Sequence, residues 1–321
     1  MYFPFMKLAA ISKRLISIVF IVFIIASCQK EVEGPVSGGG TGGGGGTGGG
    51  GGTGGGGGTP PPTATIYVAG TEQNASGKYV AKYWKNGTAT SLTDGTNDAF
   101  AVSIFINGTD IYVAGYEMNA SGKTVAKYWK NGVATNLTDG TKNADAWSII
   151  VSGTDVYVAG NEASFVGASI AKYWKNGVPT TLSDPSRNVT ANAMFVSGTD
   201  VYVVGDERQP FGPIIGKLWR NGVASNITDG TNTASLKCVY VSGTDVYIGG
   251  SEQNNLGTDI AKYWKNGVAT SLTDGSSNCF VSTIYVSGSN IYAAGGQTLN
   301  IVKYWKNGTL TNITTGSANA C

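Results

Sequence analysis

Tyr67, Tyr112, Tyr157, Tyr202, Tyr247 and Tyr292 stand 45 residues apart, and each opens a short motif: YVAG three times, then YVVG, YIGG and YAAG. A tryptophan marks every unit as well, at Trp84, Trp129, Trp174, Trp219, Trp264 and Trp305. The last interval is 41, so one loop of the sixth unit is four residues shorter. A fixed period of this length is the mark of one supersecondary unit copied and packed against itself.

Each unit divides into four β-like runs. In the third, Ser148-Ile149-Ile150-Val151 is followed by the turn Ser152-Gly153-Thr154-Asp155 and then by Val156-Tyr157-Val158-Ala159-Gly160. After a loop come Ile170-Ala171-Lys172-Tyr173-Trp174, the pair Asn176-Gly177, and Val178-Pro179-Thr180-Thr181-Leu182. Asn-Gly between apolar strands is a strong hairpin signal, because both turn positions need φ > 0. It recurs at 86–87, 131–132, 221–222, 266–267 and 307–308. No stretch after residue 30 shows helical periodicity with caps.

Four short antiparallel strands per 45 residues make one blade of a β-propeller. A lone blade has two apolar faces and cannot hide both, whereas blades packed side by side around an axis can. The expected fold is therefore all-β, a six-bladed β-propeller of four-stranded blades. A solenoid would use shorter coils, and a trefoil has three units. One strand of 24 is not accounted for: the first unit begins at its second strand, because Gly-Thr-Pro-Pro-Pro makes a poor inner strand. The run of strand, tight turn and Tyr-Val-Ala-Gly resembles the kelch repeat, although a diglycine occurs only at Gly249-Gly250 and Gly295-Gly296. The Trp-Lys-Asn-Gly-x-x-Thr-x-Leu run is similar to extracellular HAF-type repeats. Either resemblance implies a propeller over residues 63–321 and no particular activity.

The N-terminal part differs in kind. Lys7, Lys13 and Arg14 precede the apolar stretch 15–25, which is too short to span a bilayer as a helix and suits a cleaved signal peptide, residues 1–27. The ending Ile25-Ala26-Ser27-Cys28 resembles the lipobox of bacterial lipoproteins, which implies acylation of Cys28 and a membrane partner through that anchor. Gln29-Lys30-Glu31-Val32-Glu33 resembles the acidic export tag of surface lipoproteins. The expected location is the cell surface, on the outer face of the outer membrane, with the periplasmic face as the alternative. Residues 28–62 read as a disordered tether, in which 38–59 repeat Thr followed by five Gly and Pro60-Pro61-Pro62 follow; such a tether has little to bury and a mean span of about 30 Å.

Charge and composition exclude several functions. Without residues 1–33 the chain carries 18 basic and 18 acidic residues, so nucleic acid is not an expected partner. There is no histidine, which removes the commonest general base and zinc ligand. Cys238, Cys279 and Cys321 are irregularly spaced without a CxxC, and read as small buried residues. No metal, cofactor or catalytic constellation is expected, and the propeller is read as a monomer. A sialidase reading fails, because an arginine triad on one face and Asp-box turns are both missing.

Comparison among the units separates scaffold from variable surface. The turns of the SGTD and WKNG type hardly change, so the face carrying them is structural. The other two loops of each unit differ: Gln73-Asn74-Ala75 gives way to Ser164-Phe165-Val166, Gln209-Pro210-Phe211 and Asn254-Asn255-Leu256. The first residues of each innermost strand vary most, at Phe100/Val102, Asp145/Trp147, Thr190/Asn192, Ser235/Lys237 and Phe280/Ser282. These are expected to ring the mouth of the central channel. Phe100, Asp145, Trp147, Asn192, Lys237, Phe280 and Ser282 are the candidate ligand-binding residues, in a mixture that suits a glycan or a protein segment. Glu72, Glu117, Glu162, Glu207 and Glu252, with Gln297 in the sixth unit, recur with a lysine in the third strand and are expected to pair across strands. The six tryptophans are expected between blades. The leading functional expectation is a non-enzymatic surface binding or display module. The alternatives are a carbohydrate-active enzyme pairing Asp145 with Asp98 or Glu162, and a purely structural spacer.

Overall fold

The computed structural model describes residues 65–297 and 301–312. The expected signal peptide, lipidated Cys28 and tether lie outside the described residues. Within them every helix or strand is a strand: 23 strands form six antiparallel sheets, each adding its strands in chain order. The fold is all-β, a β-propeller of six blades. In blade 3 the inner, second, third and outer strands are Ala144–Ser152, Asp155–Ala163, Ser169–Lys175 and Val178–Thr181. Blade 1 has three strands among the described residues, Tyr67–Gln73, Tyr79–Lys85 and Thr88–Ser91, and the place of its inner strand falls outside them. Inner strands of successive blades touch from blade 2 through blade 6.

The repeated turns explain themselves. All six Asn-Gly pairs have φ of 49–52° at Asn and 81–85° at Gly, the left-handed pair that a two-residue hairpin requires. The asparagine also ties its turn to the neighbouring one. Asn131 Oδ1 accepts from the Ile111 amide at 2.9 Å, and Asn131 Nδ2 donates to Asp110 at 2.8 Å. Lys130 reaches the same carboxylate at 2.8 Å and lies 5.2 Å from the centre of the Tyr112 ring. The arrangement recurs at Asp155, Asp200 and Asp245, with Arg220 standing in for the lysine beside Asp200. It ties together the two turns of blades 2 to 5 on the face whose turns hardly vary.

These contacts give an expected acid response. Lys130 and Asn131 hold Asp110 below the usual carboxylate range, as Lys175 and Asn176 do for Asp155, Asn221 and Arg220 for Asp200, and Lys265 and Asn266 for Asp245. A folded-state pKa below the unfolded one contributes stability above about pH 4, and that stability disappears as pH falls through the folded value. Thermal midpoints should hold level from neutral pH to about pH 5 and drop below about pH 4. Asp155→Asn should make the drop shallower without loosening the turn, since blade 6 already uses Asn290 here, bonded to Asn307 at 2.9 Å. An acid limb identical in Asp155→Asn and the parent protein would show that these pairs do not govern it.

Each pair of neighbouring blades shares one apolar core. Between blades 3 and 4, Tyr157, Ala159, Ala171 and Leu182 meet Val189, Ala191, Met194, Val203 and Trp219. Equivalent clusters join blades 1 and 2, 2 and 3, 4 and 5, and 5 and 6. In every one the tryptophan comes from the later blade, and Trp129, Trp174, Trp219, Trp264 and Trp305 are only 1–2% exposed. The tryptophans are therefore inter-blade packing, as expected, and not surface platforms. Trp84 of blade 1 is the exception: it faces away from blade 2 and is only half-buried. No core cluster joins blade 6 to blade 1 among the described residues.

The expected glutamate–lysine pairs form in blades 1 to 5: Glu72–Lys82, Glu117–Lys127, Glu162–Lys172, Glu207–Lys217 and Glu252–Lys262. In blade 6 the carboxylate is replaced by Gln297, and Lys303 is 1% exposed, its pKa pushed down by burial. Cys238 is the buried free thiol anticipated, with a pKa pushed up to about 12 by burial. Cys279 is also buried but is disulfide-bonded, which corrects its reading as a plain small core residue. Irregular cysteine spacing in a repeat carries no pairing signal, so the sequence offered no way to see it.

Candidate binding site at the channel mouth

The inner strand slips its register against the second strand at the same place in all five complete blades. The slips fall between Ala101 and Ser103, Ala146 and Ser148, Ala191 and Ala193, Leu236 and Cys238, and Val281 and Thr283. The residue left over in each bulge is Val102, Trp147, Asn192, Lys237 or Ser282. A bulge frees one residue from the ladder and re-aims its side chain. Four of the seven residues singled out from the sequence thus sit at bulges, at the variable end of the inner strands.

The bulge also accounts for the fourth residue of the Tyr-Val-Ala-Gly motif. A Cβ on Gly115, Gly160, Gly205, Gly250 or Gly295 would lie 1.7–2.1 Å from the carbonyl oxygen of Phe100, Asp145, Thr190, Ser235 or Phe280. Only glycine lets the bulged strand come so close. The amides freed at the bulge are taken up by the preceding blade: Ala191 N donates to Asn161 Oδ1 at 2.8 Å, and Leu236 N to Asp206 Oδ1 at 2.8 Å.

The side chains at the variable end of the inner strands fall into two groups. On one side an aromatic stripe crosses three blades. Tyr79 of blade 1 lies 5.2 Å from Phe100, Phe100 is stacked on Tyr116 at 5.0 Å, and Tyr116 lies 6.2 Å from Trp147 of blade 3, all between ring centres. The two ends of the stripe, Tyr79 and Trp147, are each 37% exposed. Asp145 borders it. Burial raises the Asp145 pKa, against an opposing hydrogen bond from Thr124, and Tyr116 is raised by its own burial and then by the Asp145 charge. Asp145 also opens onto a cavity of about 190 Å³ whose lining includes Asn143, Asn161, Ser169 and Asn188.

The second group is polar. Asn192 Nδ2 donates to Asp206 at 2.9 Å and to the Leu236 carbonyl at 2.8 Å, while Ser235 Oγ donates to Asp206 at 3.0 Å. Burial raises the Asp206 pKa despite the Leu236 amide and the nearby Lys237 charge. Lys237 itself is exposed. The structure thus joins Phe100, Asp145 and Trp147 in one cluster and Asn192 with the neighbourhood of Lys237 in another. Phe280 lies half-buried against Gly296, and Ser282 is half-buried at its bulge. Tyr79, Tyr116 and Asp206 escaped sequence reasoning because they stand on second and third strands, which read as scaffold.

The carboxylates proposed as partners of Asp145 are engaged elsewhere. Asp98 accepts from the Tyr79 amide at 2.9 Å and meets Lys78 at 3.5 Å, and Glu162 is paired with Lys172. Of the arginines, Arg187 is held by Glu207 and Arg220 by Asp200 in its turn. No group of three or more acidic or cysteine side chains fit for a metal ion occurs among the described residues, nor a helix long and apolar enough to cross a membrane.

No family model matches the sequence, and no curated protein matches it. Among solved structures, an ulvan lyase representing a new family of polysaccharide lyases superposes with a TM-score of 0.50 at 8% identity, over 77% of this chain and 78% of that one. The Pyrococcus horikoshii acylaminoacyl peptidase gives 0.47 at 11% identity over 78% of this chain, and the Trypanosoma rangeli sialidase 0.46 at 11% over 76%. This chain spans about half the length of those two, 48% and 52%. At such identities the likeness is one of fold alone: the protein is similar to β-propellers that carry different activities.

Proposed function

We propose that this protein is a surface-anchored, non-enzymatic binding module whose ligand is a glycan held at the channel mouth. The observation that carries the reading is the continuous stripe Tyr79–Phe100–Tyr116–Trp147, open at both ends and bordered by Asp145. A sugar ring has an apolar C–H face and a hydroxyl edge. The first suits stacking on aromatic rings, and the second suits the Asp145 carboxyl and the amides of Asn143, Asn161 and Asn188. Anchoring through an acylated Cys28 and a glycine tether would present that mouth outward, and the kelch-like and HAF-type resemblance is consistent with an extracellular repeat of this kind.

A glycan array probed with the full-length protein tests the reading. Binding to a defined class of sugars is expected, and Trp147→Ala should weaken it at least tenfold, about 1.4 kcal/mol, with little change in thermal midpoint because the ring is partly exposed. Unchanged affinity would remove the channel mouth as the site. One observation favours the enzyme alternative: burial raises the Asp145 pKa, as a general acid would need. A glycosidase requires a second carboxylate about 5–10 Å away, and Asp98 and Glu162 both have other partners. Release of reducing sugar that disappears in Asp145→Asn would favour the enzyme.

A further inference from the structure

Blade 3 alone among blades 2 to 6 sets a carboxylate opposite an amide where its first two strands pair ahead of the bulge. Asp145 faces Asn161 there. The same two places hold Phe100 and Tyr116, Thr190 and Asp206, Ser235 and Ser251, and Phe280 and Gly296 in the other four. Asp145 and Asn161 line the cavity of about 190 Å³ together with Asn143, Ser169 and Asn188. This is one site in the ring, not one per blade.

The three asparagines are all turned the same way chemically. Asn143 Oδ1 accepts from the Thr124 amide at 3.1 Å, Asn161 Oδ1 from the Ala191 amide at 2.8 Å, and Asn188 Oδ1 from the Ser169 amide at 3.2 Å. A backbone N–H can be met only by the oxygen of a side-chain amide, so each asparagine has its Nδ2 left over as a donor. None of the three Nδ2 groups has an acceptor among the described residues, although Asn161 is only 8% exposed. Asp145 is the acceptor beside these donors, and among the described residues no cation pairs with it. Lys142, the nearest cation along the chain, lies over the Phe165 ring, 3.7 Å from its centre. Glu162 and Lys172 neutralise each other. Asp206, the other carboxylate at this end of the inner strands, is filled by the Leu236 amide, Asn192 and Ser235, and has little left for a ligand.

Resting on the glycan reading above, we infer that the sugar held between Asp145 and the three asparagines is uncharged, and that uronate- and sulfate-bearing glycans are rejected there. A sugar hydroxyl is donor and acceptor at once. Its oxygen can take an N–H from an asparagine while its proton goes to the Asp145 carboxylate. A ligand carboxylate or sulfate could accept from the same amides, but it would stand beside Asp145 with no cation to offset either charge. In a partly dry site that repulsion is stronger than in water. An ammonium group suits Asp145 but brings further donors to a site that already has three.

A glycan array probed with the full-length protein, carrying neutral oligosaccharides beside counterparts with one ring replaced by a uronate or sulfated, tests the inference. Neutral members should bind, and their acidic counterparts should bind about tenfold more weakly or worse. Asp145→Asn should bring the acidic counterpart to within about threefold of the neutral one. The parent protein supplies a second measurement that needs no variant: raising salt from about 0.05 M to about 0.5 M should strengthen what binding the acidic ligand retains and leave the neutral ligand unchanged. Acidic glycans bound as tightly as neutral ones would overturn the inference and leave the glycan reading standing. So would a gap that neither Asp145→Asn nor salt narrows. Binding of no glycan at all would remove that reading, and the inference with it.

Discussion

Trp174→Ala is expected to destabilise the protein by roughly 3–5 kcal/mol, whereas Trp84→Ala should cost only about 1 kcal/mol. The two residues occupy the same position in their repeats and have the same neighbours in sequence, Tyr before and Lys-Asn-Gly after. What separates them is the next blade. Trp174 is 1% exposed in the core between blades 2 and 3, against Tyr112, Ala114, Ala126 and Leu137. Removing it leaves a cavity that sheets joined on both sides cannot close. Trp84 has no such partner blade among the described residues, so truncation removes a partly hydrated ring. Urea unfolding of the two variants checks this. Equal losses would show that the faces of blades 1 and 6 are packed like the rest.

Gly205→Ala is expected to cost about 3 kcal/mol or more, and to disrupt the polar half of the channel mouth as well. A methyl group there would sit 1.7 Å from the Thr190 carbonyl oxygen and 2.7 Å from its carbon, both backbone atoms that cannot rotate away. The strand Asn188–Ser197 must shift, and with it the bulge that holds Asn192 against Asp206. Gly70→Ala is the internal control, because among the described residues the same change at the same motif position meets only the Trp84 side chain. Thermal midpoints of the two variants separate the explanations. If both lose the same stability, glycine is needed in the motif for the intrinsic conformation of its strand and not to admit a bulge.

The architecture was almost fully legible in the residues, for reasons that particular positions make plain. The interval of 45 between Tyr67 and Tyr112 and onward is the length of one sheet, and each Asn-Gly pair is a dipeptide that readily forms the left-handed hairpin turn. Two things were hidden. The bulges leave the period unchanged, because every complete blade has one at the same place; their trace was the invariant glycine of the motif, which reads as a simple strand residue until its partner strand is set beside it. The aromatic stripe was hidden for a different reason. Phe100 and Trp147 vary at the start of inner strands and announce themselves, but Tyr116 replaces Asn161, Asp206, Ser251 and Gly296 within a second strand, and Tyr79 replaces Thr124 in a third. Their meeting depends on which blade lies beside which, and a comparison of units taken one at a time does not contain that. The Asp206 cluster was missed likewise: it joins blades 4 and 5 through Leu236 and Ser235.

Oxidative footprinting of the seven tryptophans, read residue by residue by mass spectrometry, tests the packing of the blades most directly. Trp147 and Trp84 should be modified readily, and Trp129, Trp174, Trp219, Trp264 and Trp305 should stay protected until the protein unfolds. Modification spread evenly over all seven, or Trp147 protected along with the five, would contradict both the way the sheets bury one another and the place assigned to the binding site.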